Sequence, residues 1–243
     1  MTVPSRLRGY LRAPATSEEV EGFRLGSRPL PEAVRDFYRQ SNGFEVPELD
    51  TEILSIAAAR RYGEAISRLA IADYYGLLPI TNSNDSNPYC VVLGDRLNGA
   101  VMLLDHEGEV RVSHSSLQRF LESLADCLDD EAESVEDLEP EETTDPRIVA
   151  EADAVVLELL KVPTPDFPLL FPVISACSPQ VLIALLQVND MWVRERAAIR
   201  CGQLEIVEAR ESLQRLASAG NGQDSRAAKA SLKPINRKLF SKD

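Results

Sequence analysis

GLLPITNSNDSNPYCVVLGDRLNGAVMLLDHEGEVRVSHSSLQRFLESLADCL, residues 76–128, holds short apolar runs broken by turn signals and closed by a helical pattern. Cys90–Leu93 and Ala100–Leu104 are continuously apolar, which predicts central strands covered on both faces. Asp95-Arg96-Leu97-Asn98-Gly99 joins them as a hairpin loop with an Asn-Gly signal, and His106-Glu107-Gly108-Glu109 makes the next turn. Val110-Arg111-Val112 alternates like an edge strand. Ser115, with Gln118 three residues on, is placed to cap the final helix. The stripe Leu117, Phe120, Leu121, Leu124 and Leu128 then covers the sheet. The expected fold class is α+β, a mainly antiparallel sheet packed with helices. No catalytic constellation is visible in it, so the expected role is gripping another protein.

Upstream, Thr16-Ser17-Glu18-Glu19 has capping-box spacing and predicts a short helix near Ser17 with Val20 and Phe23 on one face. Leu30-Pro31-Glu32 opens a second helix, with Val34, Phe37 and Tyr38 inward and Arg35, Asp36 and Arg39 toward water. Ser41-Asn42-Gly43 stops it. TEILSI at 51–56 reads as a strand after a turn at Pro47, and Ala57 to Ala70 as a helix with Ile66 and Leu69 at helical spacing.

Charge divides the chain, whose formal net value is −13. Residues 1–130 carry 13 Arg and no Lys against 20 acids, and residues 147–243 carry 13 bases against 11 acids. Between them EAESVEDLEPEETTDP, residues 131–146, has eight acids and no base. Too poor in apolar residues to order itself, it reads as a solvated linker, with docking onto a basic partner as the functional alternative. The expected domains are therefore 1–130, a linker at 131–146, and a smaller all-helical domain at 147–243.

In that last domain Ile148, Ala152, Val155 and Leu159 form one helical stripe before prolines at 163, 165, 168 and 172 interrupt it. Ser178-Pro179 opens a helix, Asp190 to Cys201 gives another stopped by Gly202, and Leu204 to Ala217 a third with Ile206, Ala209, Leu213 and Leu216 inward. Gly220-Asn221-Gly222 precedes the last, which starts at Asp224. DMWVRERAA and QDSRAAKAS, offset by 32 residues at Arg194 and Arg226, are similar to HEAT repeats. In that motif small alanines admit a close helix pair, and Asp190 is spaced to hold Arg194 by i,i+4 pairing. The second copy lacks the valine before Arg226, and Pro234 is expected to bend its helix. With fewer than three repeats the region reads as a short helical arm, and a generic helical bundle is the alternative.

Cys90, Cys127, Cys177 and Cys201 are far apart, with no CxxC and no nearby histidine, and read as small buried hydrophobes. Asp105-His106-Glu107 is a charged turn, since adjacent strand residues point to opposite faces and do not converge on one ion. His114 beside Ser113, Ser115 and Ser116 has no GxSxG elbow or separate acid, and helix capping accounts for the serines. No phosphate-binding glycine pattern occurs, so no cofactor and no metal is expected. The start MTVPSRLRGYLRAP lacks a signal-peptide core and no apolar run spans a bilayer, which gives the expectation of a cytoplasmic chain without membrane contact.

LPEAVRDFYRQSNGF, then ILSI, GLLPI, YCVVLG, VMLLDHEGEV and SSLQRFLESL, resembles the SUKH superfamily of toxin-immunity proteins and the fungal cell-wall assembly regulator. Phe37, Tyr38, Asn42 and Gly43 match its helix-to-sheet junction, although Phe44 stands where the family has a second glycine. The turn at Asp105-His106-Glu107-Gly108 and the closing Ser116, Leu117, Phe120 and Leu121 match as well, so the resemblance covers about residues 15–128. It implies a binder, in many members a stoichiometric neutraliser of a toxin. A net charge of −13 suits a basic toxin domain and, with no basic stripe available, opposes direct nucleic-acid binding. Candidate partner-binding residues are Glu45, Glu48, Asp50, Glu52, Asn82, Asn84, Asp85, Asp95 and Trp192, chosen for charge and loop position. Trp192 also has a core-packing reading between repeats. Two function classes remain: an immunity-type inhibitor, or a regulatory or scaffold protein binding a cellular client through both domains. An enzyme ranks third.

Overall fold

Side-chain caps open several of the helices of this chain, and long-range backbone pairing decides where its strands lie. The computed structural model describes residues 1–83, 87–105, 110–128 and 145–240. The chain divides into two units, Met1–Ile148 and Val149–Asp243. The predicted acidic linker and the turn at His106-Glu107-Gly108-Glu109 fall outside the described residues, apart from Asp145 and Pro146.

In the first unit, α1 (Ser17–Glu21) starts on the expected capping box. The Glu19 N–H donates to the Thr16 hydroxyl at 3.2 Å, and the Thr16 N–H donates back to the Glu19 carboxylate at 2.8 Å. The Thr16 N–H and the Thr16 hydroxyl, each donating to that carboxylate at 2.8 Å, hold the Glu19 carboxyl below the ordinary glutamate range. α2 (Glu32–Gln40) buries Val34, Phe37 and Tyr38 as predicted. On its outer side Arg39 reaches Glu21 at 2.6 Å, Asp36 at 3.0 Å and Glu32 at 3.1 Å, tying α1 to α2.

The turn after α2 sets the start of the sheet and of the next helix. Gly43 has φ +79°, and a Cβ there would lie 2.3 Å from the Ile53 carbonyl oxygen. Asn42 accepts the Ile56 N–H at 2.9 Å on its side chain and donates its own N–H to the Ala13 carbonyl at 3.0 Å. β1 (Phe44–Val46) leaves this turn, and a 3₁₀ turn at Pro47–Leu49 returns the chain as β2 (Thr51–Ile53). No sequence pattern predicts β1, and TEILSI splits: Ser55 accepts the Ala58 N–H, so Ile56 opens α3 (Ile56–Ile66) instead of ending a strand. The buried side of α3 is Ile56, Ala59 and Gly63, not Ile66 and Leu69. Leu69 is 45% exposed at the start of a separate α4 (Ala70–Tyr75), because the turn at Ile66–Leu69 breaks the helical phase.

β3 (Leu77–Pro79) and β4 (Thr81–Ser83) are separated only by Ile80. They are followed by β5 (Tyr89–Val92), β6 (Val101–Leu103), β7 (Arg111–His114) and α5 (Leu117–Cys127). All pairings are antiparallel, in two sheets ordered β1-β2-β4 and β3-β5-β6-β7. Ile80 joins the two: its N–H donates to the Tyr89 carbonyl at 2.8 Å, and its carbonyl accepts the Leu54 N–H at 2.9 Å. β5 is buried at every position, and β7 is an edge strand, as predicted. α5 is capped one residue later than expected. Ser116 accepts the Arg119 N–H at 3.3 Å, while Ser115 is buried and Gln118 receives the Thr2 N–H at 3.0 Å. Leu117, Phe120, Leu121 and Leu124 close the core with Phe37, Phe44 and Tyr89, and Leu128 is only half-buried.

In the second unit the helices are α6 (Pro146–Leu159, opening just before the boundary), α7 (Phe171–Ile174), α8 (Pro179–Leu185), α9 (Met191–Gln203), α10 (Arg210–Ser218) and α11 (Gln223–Phe240). Ile148, Ala152, Val155 and Leu159 are buried, and Ser178 caps α8 ahead of Pro179. Gly202 does not stop α9. It lies inside the helix, where a Cβ would meet the Ser231 hydroxyl at 2.6 Å, so it is the point of closest approach to α11. The third expected helix begins later, at Arg210, after a 3₁₀ turn.

The predicted Asp190–Arg194 pair is replaced. Asp190 spends its carboxylate capping α9 through the Val193 N–H at 2.9 Å, and Arg194 reaches Asp224 of α11 at 2.7 Å and 2.8 Å. Trp192 does not pack between helices but is 49% exposed. Arg226, Lys229, Lys233 and Arg237 all lie exposed along α11, so the chain does hold a basic stripe, contrary to expectation.

Replacing Gly43 with Ala should cost about 2–3 kcal/mol, read as a lower denaturation midpoint, because the side chain meets backbone at a positive φ. Asp224→Ala should destabilise by about 2 kcal/mol, since it removes a part-buried ion pair and leaves Arg194 the Val188 carbonyl. Asp190→Ala should cost about 1 kcal/mol, the value of a cap. The reverse order in urea unfolding would show that Arg194 takes its partner within α9.

Candidate protein-binding face

Alternation places carboxylates on the outer side of the three-stranded sheet. Phe44, Val46, Thr51 and Ile53 point inward and are buried, which leaves Glu45 and Glu52 outward. Glu45 sits opposite Glu52, and Glu52 opposite the exposed Asn82, so three predicted residues form one row across β1, β2 and β4. Glu48 and Asp50 are exposed on the connection between β1 and β2, where Asp50 has φ +44°.

Two like charges directly opposed on neighbouring strands repel. Arg12 answers this: its guanidinium meets Glu45 at 2.6 Å and Glu52 at 2.9 Å. It is held there by its backbone N–H, which donates to the Ser41 hydroxyl at 3.1 Å and the Gly43 carbonyl at 3.3 Å. Beside it the Tyr10 hydroxyl donates to Glu48 at 2.9 Å, and that bond to a carboxylate raises the Tyr10 pKa above the ordinary phenol value. The carboxylates of Glu45, Glu48 and Glu52 are thereby held in place on this face.

The remaining candidates do not join this row. Asn84 and Asp85 lie outside the described residues. Asp95 is exposed in the hairpin between β5 and β6 of the other sheet, and Trp192 belongs to the second unit. Sequence reading misses Arg12 and Tyr10, whose partners lie 33 to 40 residues away and leave no local signal.

A hollow of about 700 Å³ lies between α1 and the first turns of α3, lined by Phe23 and Ile56 together with Glu18, Arg60, Arg61 and Glu64. It gathers no histidine or thiol. His114 is buried beside the rings of Phe120 and Tyr89, 5.4 Å and 6.3 Å between centroids. Burial pushes the Cys90 and Cys177 thiols well up and the Cys201 thiol up to about 12, which keeps them protonated and poor nucleophiles. Cys127 is half-buried rather than buried. Among the described residues no group of three or more His, Cys, Asp or Glu is placed to hold a metal ion. No helix among them is long and apolar enough to cross a membrane.

Residues 14–123 match the model of the SMI1 / KNR4 family (SUKH-1), so the SUKH resemblance stands on the first unit. That family is one of protein-binding domains of immunity and regulatory type. The comparisons with curated proteins and with solved structures give no match.

Tyr10 should titrate above an unhindered tyrosine in a ring-resolved NMR titration, and Glu48→Gln should bring its midpoint back down. Because the folded value is the raised one, the contribution of this bond to stability is complete below the unfolded phenol pKa and is lost as pH rises through the folded one.

Proposed function

We propose that the chain is a stoichiometric protein binder that neutralises a basic partner domain, of the kind a toxin nuclease presents, through the carboxylate row of the first unit. The observation that carries this reading is the outward alignment of Glu45, Glu52 and Asn82 beside Glu48 and Asp50, with Arg12 as an internal counter-ion. A cationic side chain of the partner displaces Arg12 from one carboxylate and takes its place. Desolvation on docking strengthens that exchange, and the negative field speeds encounter. The family's protein-binding character supports the reading. The helical unit serves as a HEAT-like arm against the same partner, with exposed Trp192 as an apolar anchor.

The test is affinity capture with the full chain from lysate of its own host, including products of neighbouring genes, and then salt titration of the purified complex. A basic domain bound one to one, released by salt and weakened about tenfold by Glu45→Gln with Glu52→Gln, is the expected result. Arg12→Gln should tighten the same complex by exposing both carboxylates. A housekeeping protein whose binding ignores these substitutions would replace inhibition with the scaffold reading.

A further inference from the structure

Charge in the second unit is segregated onto α11. Its single acid, Asp224, is buried and committed to Arg194, while Arg226, Lys229, Lys233, Arg237 and Lys238 share the same helix. Offsets of three, seven and eleven residues from Arg226 bring Lys229, Lys233 and Arg237 to one side of the helix, over roughly 16 Å of its axis. All four are exposed. The opposite side, Ala228, Ser231 and Ile235, is buried where α11 packs on α9 and α10. Lys238 stands 3.5 Å from Glu205, but among the described residues no ion pair or side-chain hydrogen bond engages the other four cations. Ala230 is exposed in the middle of the row and Phe240, 71% exposed, ends it.

We propose that this face of α11 docks an acidic segment of a partner protein, a helix carrying carboxylates three and four residues apart. A row of cations at helical spacing with no carboxylate of its own to answer it is complementary to such a helix, pair by pair. Ala230 leaves a shallow place for close backbone approach, and Phe240 offers one apolar contact at the end of the row. A nucleic-acid duplex fits less well. Four cations neutralise at most about four phosphates, and no aromatic ring lies between them to stack an unpaired base. A bilayer fits less well still, since the apolar side of α11 is already covered. The site belongs to the second unit and does not depend on the carboxylate row of the first.

The experiment measures fluorescence anisotropy of a helix-forming peptide of roughly 18 residues, with glutamates at three- and four-residue spacing, titrated with the full chain at about 50 mM salt. A DNA duplex of similar charge is run beside it. One variant carries Arg226→Gln, Lys229→Gln, Lys233→Gln and Arg237→Gln. A control removes the same charge elsewhere, by Arg8→Gln, Arg61→Gln, Arg68→Gln and Lys161→Gln, and circular dichroism checks both folds. The expected result is peptide binding that falls about tenfold or more in the α11 variant and is unchanged in the control. Equal loss in both variants, no binding of the peptide by the unaltered chain, or tighter binding of the duplex would each overturn the proposal.

Discussion

The first unit depends on three residues, Ser41-Asn42-Gly43. Gly43 sits with positive φ so close to the ends of β2 that no side chain fits, which sets the distance between β1 and the backbone at Ile53 and Leu54. Asn42 caps α3 with its amide oxygen and ties the 12–13 segment with its N–H. Ser41 accepts the Arg12 N–H and donates its hydroxyl to the Gly43 carbonyl at 2.8 Å. One turn therefore fixes a helix start, a sheet register and the arginine that bridges two carboxylates. It also explains why Phe44 is tolerated where the SUKH pattern has a second glycine. The φ requirement is met by Gly43 alone, and Phe44 is fully buried, 6.2 Å from Phe37 between ring centroids.

The helix starts that were legible are those where a cap or an apolar stripe is set by near spacing in the chain. Thr16, Ser178 and the stripes of α2 and α5 are all set by spacing in the chain. In the sheet, β5 and β6 were legible from continuously apolar runs and β7 from alternation. β1 is three residues long and interrupted by Glu45, so no periodicity marks it. The change of partner at Ile80 is invisible for a different reason. One residue gives its N–H to one sheet and its carbonyl to the other, and nothing in LLPIT records which partner each group takes. Thr81 secures the change by accepting the Tyr89 N–H on its hydroxyl at 2.8 Å, while Pro79 has no N–H to contribute.

Two expectations in the helical unit fail for separate reasons. An aspartate at the N-cap is occupied by backbone N–H groups and is turned away from the residue four places on, so Asp190 leaves Arg194 to a carboxylate 30 residues later. The inward side of α9 is Val193, Ala197, Ala198, Cys201 and Gly202, small residues that let α11 close to contact at Gly202. An indole has no room in so close a pair. Trp192 is therefore left outside, half exposed to solvent.

Net charge was the least informative quantity, because it sums over surfaces that a partner meets one at a time. A value of −13 contains a carboxylate row on one sheet and a cation row on one helix. The screening length at physiological salt is about 8 Å, shorter than the cation row itself, so each surface acts on what touches it more than through the total. The two rows also differ in their internal balance. Glu45 and Glu52 come with Arg12 already bridging them, which makes a bond to a partner an exchange of counter-ions. Arg226, Lys229, Lys233 and Arg237 of α11 have no such bridge among the described residues, so an acidic partner gains new pairs there without breaking old ones. In the proposed complexes, affinity at the first face is thus limited by what Arg12 releases. At the second it is limited by how well the partner's spacing matches that of the helix.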